Sequence, residues 1–318
     1  MSKKRFDIIK WIRSYPRVRW LIIKAKKSSL PGLGGVPVYD IIYFIYNESV
    51  NDDINTRANS AAYSFFLSLF PSILLLISIG TLFPFDIVDW LKSALGGIMP
   101  DNAESFLFEI IGNIEQLPHS GLLSLGLILA IYFSSNGLLT LMRGFHKSYD
   151  LTFKDRTWIK EQLIAIFLTG LMFLLLIASA ILLIAGNGII SYLAEYVTLD
   201  GFETFMLQLL KWVLVISLFY AAIALIYKLG PSMHRNFSFF SPGATVTTFV
   251  VIILTMGFSV YVNNFGTYNK LYGSIGAVIV LLVWIKLICM IILLGFELNA
   301  SIAVHKDLKS KLHESRPH

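Results

Sequence analysis

Apolar positions in this chain come in long blocks bounded by polar turns, near residues 61–83, 122–141, 162–184, 205–227, 243–262 and 275–298. A block of about 20 residues at 1.5 Å per residue crosses a hydrocarbon core of roughly 30 Å. The pattern therefore predicts an all-α polytopic membrane protein, with six transmembrane helices in a domain over 61–298. Some blocks carry Pro or Gly, among them Pro71, Gly126, Gly137, Gly170 and Gly257. Membrane helices tolerate these where neighbours satisfy the freed backbone groups. Pro71 removes one helix hydrogen bond midway along the first span, and a kink is expected there.

Residues 1–60 are too polar to span. Phe6, Ile8, Ile9, Trp11 and Ile12 interleave with Lys10, Arg13, Arg17 and Arg19, the pattern of a basic amphipathic helix lying on an anionic leaflet. A glycine-rich loop follows over 30–37. From Val38 a second helical stretch sets Ile41, Ile42 and Ile45 on one face, expected to pack on the bundle. Between the first two spans lies an acidic loop, 84–120. Its apolar positions Ile87, Val88, Leu91 and Phe106, Ile110, Ile114 predict two short amphipathic helices capping the outer face. A basic tail, 299–318, completes the chain.

Composition strengthens the membrane reading: 56% of residues are apolar and 14% charged, against roughly 45–50% and 25% in soluble domains. Charge then supplies an orientation. Residues 1–60, the 143–160 and 228–242 loops and the tail together hold 22 of the 26 Lys and Arg, and the opposite side holds Lys92 and Lys270. That asymmetry predicts both ends on the cytoplasmic side. It also accounts for the net charge of +6 without a nucleic-acid partner. The single cysteine, Cys289, permits no intrachain disulfide. The basic N-terminus lacks the apolar stretch and cleavage site of a signal peptide, so no processing is expected.

Catalytic signatures do not emerge. The six histidines are scattered across loops and the tail, whereas a metal site needs convergent ligands. Nucleophile-elbow, zinc-protease and phosphate-loop patterns are missing. Neither an enzyme nor a resident cofactor or metal is expected. Polar residues at membrane depth are the more informative group. Lys286 lies near the middle of the last span, where a charge costs roughly 2.5–3.5 kcal/mol on insertion scales. Glu297, the only acid in that span, lies about 16 Å further along the axis, too far for an ion pair. Two readings of Lys286 stay open. It lines a polar cavity with Asn136, Ser134 and Ser135 that takes an anionic substrate or lipid headgroup, or it points into a small wet crevice without cargo. Glu297, Asn299 and Pro71 are candidates for gating or structural roles.

Three further stretches carry a resemblance. They are Ala61-Ala62-Tyr63-Ser64-Phe65-Phe66-Leu67-Ser68-Leu69-Phe70-Pro71; Tyr227-Lys228-Leu229-Gly230-Pro231 followed by Ser241-Pro242-Gly243-Ala244; and Tyr272-Gly273-Ser274-Ile275-Gly276-Ala277 running to Gly295-Phe296-Glu297-Leu298-Asn299. In order and spacing the chain resembles the YihY/BrkB family, once labelled ribonuclease BN. That resemblance implies a bacterial inner-membrane protein with six helices and cytoplasmic termini, and no defined substrate. The expected function is a transporter or lipid-handling factor, with membrane lipids and a small-molecule or lipid substrate as partners. The alternatives are a non-transporting envelope scaffold and, least supported, a membrane nuclease.

Overall fold

A computed structural model describes residues 36–37, 39–43, 46, 54–80, 101–115, 122–146, 152–196, 201–264 and 274–314. In chain order its helices are α1 (Ile54–Gly80), α2 (Asp101–Glu115), α3 (Leu122–Arg143), α4 (Trp158–Tyr196), α5 (Gly201–Leu229), α6 (Pro242–Asn264) and α7 (Ser274–Glu314). The apolar blocks fall on α1 and α3–α7. Among the described residues four helices, α4 to α7, hold stretches long and apolar enough to cross a membrane. α4 and α7, with 39 and 41 residues, are roughly 60 Å long and exceed what a bilayer core requires. α1 runs through Pro71 as one helix.

The amphipathic helix expected over residues 6–19 and the first outer helix near residues 87–91 lie outside the described residues. Residues 39–43 are helical, opened by the Asp40 and Ile41 amides donating to Pro37 O at 3.1 and 3.3 Å. Ile41 is buried with Val36 against Ile302 of α7, while Ile42 faces outward. α2 falls where the second helix of the 84–120 loop was expected, and its most buried positions differ from the expected stripe. Leu107 and Ile111 are its buried positions, set between Ile73 of α1 and Leu281 of α7, with Phe106 and Ile110 at the rim.

Helix contacts close into a ring: α1 packs on α3, α3 on α4, α4 on α5, α5 on α6, α6 on α7 and α7 back on α1. α2 leans on α7, α1 and α6. One end of the ring carries Arg57, Arg143, Arg156, Lys228, Arg235 and Lys306 and is called the basic end below. At that end the ring is filled. Ala58, Ala61 and Ala62 of α1, Leu138 to Met142 of α3, Leu168 of α4, Ile223 to Tyr227 of α5 and Cys289 to Phe296 of α7 share one core. Phe296 is its hub: Phe145 stacks on it at 4.5 Å between ring centroids, and Phe153 and Phe237 meet it edge-on at 6.2 and 6.1 Å. Edge-on and offset pairs of this kind add to area burial. They tie the α3–α4 and α5–α6 connections to one helix.

The loops at the basic end are also fastened by polar contacts. Phe153 and Met233 form an antiparallel bridge, flanked by Lys154 N donating to Ser232 O and His234 N donating to Thr152 O. Arg156 donates to the carbonyls of Leu229, Gly230 and Pro231 at 3.2, 3.1 and 2.8 Å. These carbonyls end α5, where intrahelical donors run out and a cation complements the dipole. Burial lowers the Arg156 pKa from its ordinary value, and the charge of Glu161 opposes that shift. Arg57 of α1 caps α3 in the same way through Gly144 O at 3.0 Å.

Candidate functional site

The residues that carried the family resemblance meet at the basic end. Ser241 caps α6: its hydroxyl accepts from the Ala244 amide at 3.3 Å, and Pro242 occupies the first helical position, where no donor is needed. The next amide, Gly243 N, donates to Asn299 Oδ1 of α7 at 2.8 Å. Asn299 Nδ2 in turn donates to Ser241 Oγ at 3.0 Å. One asparagine therefore closes both the cap and the α6–α7 joint. One turn deeper, the Tyr227 hydroxyl lies 2.7 Å from Ile292 O and 2.7 Å from Thr247 Oγ1. Three helices are pinned by that single phenol.

This joint depends on two glycines. A Cβ on Gly243 would collide with Gly295 O and the Asn299 amide, and a Cβ on Gly295 would collide with Thr247 Oγ1 and reach 2.5 Å from the Tyr227 hydroxyl. The helices approach this closely only without side chains at these positions. Glu297, between Gly295 and Asn299, is 1% exposed. Its Oε2 receives no hydrogen bond from a described residue, and the residue has a further interaction elsewhere. Asn299→Ala strands the buried Gly243 amide and removes the donor to Ser241, so a loss of about 2 kcal/mol is expected in thermal unfolding of the detergent-purified protein. Asn299→Asp keeps the acceptor for Gly243 and loses less. Equal losses would contradict the cap assignment.

The other sequence-predicted residues are spread around the ring. Ser134 of α3 shares a hydrogen bond with Ser72 of α1 at 2.8 Å. Ser135 donates to Tyr132 O and accepts from Gln162 of α4 at 3.5 Å. Asn136 is half-buried, and its carbonyl accepts from Thr140. These contacts form a seam along α1, α3 and α4. Pro71 is half-buried in α1. Lys286 is half-buried on α7 between buried Leu281 and Cys289, beside Ile285, which touches both core clusters. At 100° per residue its side chain points roughly a quarter-turn from the buried face. Among the described residues no hydrogen bond or ion pair joins it to Ser134, Ser135 or Asn136, and α1 stands between α3 and α7 in the ring.

Away from the basic end the ring is filled unevenly: α2 packs into the corner between α1 and α7, while α4 and α5 are left uncovered. Over residues 202–217 of α5 the covered positions form one stripe, Thr204, Leu207, Lys211 and Val215. The stem of Lys211, 8% exposed, lies against Gly186 of α4. Every other position in that stretch is exposed, about two-thirds of the circumference. A helix held between two neighbours would be covered on both flanks, yet here the flank toward α6 and the ring centre is open as well. α4 is similar, with almost nothing buried along its span.

A separate cleft of about 720 Å³ opens at the basic end, between the 233–242 loop and the last turns of α7. Among the described residues no three His, Cys, Asp or Glu side chains converge as a metal site would require.

Long apolar helices with outward-facing hydrophobic side chains, closed into a ring by small residues and hydrogen-bonded caps, define an α-helical polytopic membrane protein. The family described as virulence factor BrkB matches residues 45–318, and the chain belongs to it. Relatives include the ribonuclease-like protein YfkH of Bacillus subtilis (strain 168), 29% identical over 83% of this chain and 94% of that protein. A UPF0761 membrane protein of Alteromonas mediterranea is 26% identical over 87% of this chain and 92% of its own length. Another, from Vibrio vulnificus (strain YJ016), is 27% identical over 79% of each. No solved structure matches the chain.

Proposed function

We propose that this protein is a transporter or lipid-handling factor of the bacterial cytoplasmic membrane, crossing it six times with both ends on the cytoplasmic side. The charge distribution supports that orientation, since the filled basic end is then the cytoplasmic one. α1 and α3 are counted as spans beside α4 to α7, because each carries one of the apolar blocks and packs in the same ring.

One observation carries the transport reading: the ring is sealed at its basic end and uncovered on the inner flank of α5 toward the other. A scaffold has no need of that asymmetry, whereas alternating access requires a bundle closed on one side of a mid-membrane site. Lys286 sits between the basic-end core and the α1–α2–α7 cluster, and is assigned as the cationic floor of the outward-facing space beside them. Ser134, Ser135 and Asn136 enter as residues that hold the ring together. Glu297 and Asn299 belong to the seal, whose loosening would admit substrate to the cytoplasm. RNA cleavage, the activity in the name of the Bacillus relative, has no place in this reading.

The test compares lipids and metabolites of a deletion strain with its parent. An anionic species should change in level or leaflet, be restored by the wild-type gene, and stay unrestored by Lys286→Met. An unchanged profile would remove the transport reading, and full restoration by Lys286→Met would remove Lys286 from the site.

A further inference from the structure

The cleft at the basic end is a second place of interest, distinct from the space around Lys286. Its floor is the face of α7 that begins at Asn299 and continues through Ile302 and Ala303 to Lys306, Asp307 and Lys311. Its other wall is the 233–242 loop, with Arg235, Phe237, Ser238 and Phe240. Three cations, Arg235, Lys306 and Lys311, thus line one volume of about 720 Å³ against the single carboxylate of Asp307. That carboxylate is engaged, accepting from Thr152 Oγ1 at 2.7 Å.

The fold holds these charges together. Lys306 and Lys311 share a helix, about 7.5 Å apart along its axis. Arg235 is placed by the bridge between Phe153 and Met233 and by the packing of Phe237 on Phe296. Like charges gathered in a concave site repel unless an anion joins them. The start of α6 adds only its partial positive charge. Pro242 has no N–H, and the Gly243 and Ala244 amides are already bound to Asn299 and Ser241. The cations must therefore supply the donors, and they suit a phosphate with several oxygens.

At the mouth of the cleft Phe240, 80% exposed, stacks on Tyr220 of α5, about two turns before the end of that helix's apolar block. A cationic pocket thus adjoins an exposed aromatic that rests on an apolar helix.

We propose that this cleft binds a phosphate-bearing anion, held by Arg235, Lys306 and Lys311. The phosphate belongs to a lipid headgroup or to a soluble phosphate ester. The inference rests on the proposed orientation for its side of the membrane, and its chemistry is independent of transport.

The test uses the full chain in discs of zwitterionic lipid, with dioctanoyl phosphatidic acid and inorganic phosphate as probes. Arg235→Gln/Lys306→Gln should weaken binding by about tenfold, and added salt should weaken it in the wild type. Asp307→Asn, which keeps an acceptor for Thr152 and removes the opposing charge, should tighten it. Binding of phosphatidic acid alone assigns the cleft to a lipid headgroup, and comparable binding of inorganic phosphate assigns it to the soluble source. Arg235 and Lys306 are exposed and Asp307 is half-buried with its acceptor role kept by asparagine, so unfolding temperatures should hold, and the tightening in Asp307→Asn cannot come from misfolding. If neither probe binds, or the double variant binds as tightly as the wild type, the proposal is overturned. Full binding in a protein that fails the deletion-strain test leaves the cleft standing and removes only the transport reading.

Discussion

Gly295→Val is expected to leave little folded protein in the membrane, although it adds only three carbons to a helix that prefers neither residue strongly. The new Cβ would enter space held by Thr247 Oγ1 and crowd the Tyr227 hydroxyl. Neither neighbour can turn aside freely. Thr247 is fully buried, and the phenol is fixed between Thr247 and Ile292 O at 2.7 Å each. α6 and α7 would have to separate, breaking the Asn299–Gly243 cap one turn away. Overpacking of this kind costs about 1–3 kcal/mol, and each buried hydrogen bond lost adds about 1 kcal/mol or more. Gly295→Ala with Thr247→Ala should recover part of the loss, because the hydroxyl in the way is gone. Gly243→Ala should not respond to that partner, since its obstacle includes a backbone carbonyl. Fluorescence-detected size exclusion of the four proteins reads the order directly. A Gly295→Val protein as abundant and monodisperse as the wild type would contradict the close α6–α7 approach.

Lys286→Met should separate stability from function. Half-buried among Leu281, Ile285 and Cys289, the ammonium meets no described partner that would offset roughly 2.5–3.5 kcal/mol of insertion cost at membrane depth. Methionine of similar length removes that cost and keeps the packing. The variant should unfold at a temperature equal to or above that of the wild type. Its capacity to restore the deletion strain should fall by about tenfold or more, as expected for loss of a desolvated charge contact to an anion. A variant that is destabilised and inactive would instead mark Lys286 as structural. One that is stable and fully active would mark it as a tolerated lysine.

The apolar blocks were legible because they are one-dimensional: a span needs only length and apolar composition. The joint between α6 and α7 was legible only in part. Ser241-Pro242-Gly243 and Gly295-x-Glu297-x-Asn299 stood out as motifs, yet 56 residues separate the partners Gly243 and Asn299. Nothing local in either stretch says that one caps the other. Tyr227 read as an apolar-block residue, and its reach to Thr247 and Ile292 O became visible only with three helices in place. The stripe on α2 was misplaced by one position, with Leu107 and Ile111 buried rather than Phe106 and Ile110. Periodicity finds an apolar arc, and the neighbours choose its centre. Lys306 and Lys311 fell in the basic tail of 299–318, and their place beside the 233–242 loop is visible only in the fold.

The reading of a ring sealed at the cytoplasmic end and open toward the other is tested most directly by water access at the level of Lys286. The chain has one cysteine, Cys289, which is buried, so Lys286→Cys in a Cys289→Ala background places a single thiol there. The probe is a membrane-impermeant maleimide, applied to vesicles of each orientation. The account predicts labelling from the non-cytoplasmic side and protection from the cytoplasmic side. Labelling from the cytoplasmic side alone, or from neither side, would contradict it.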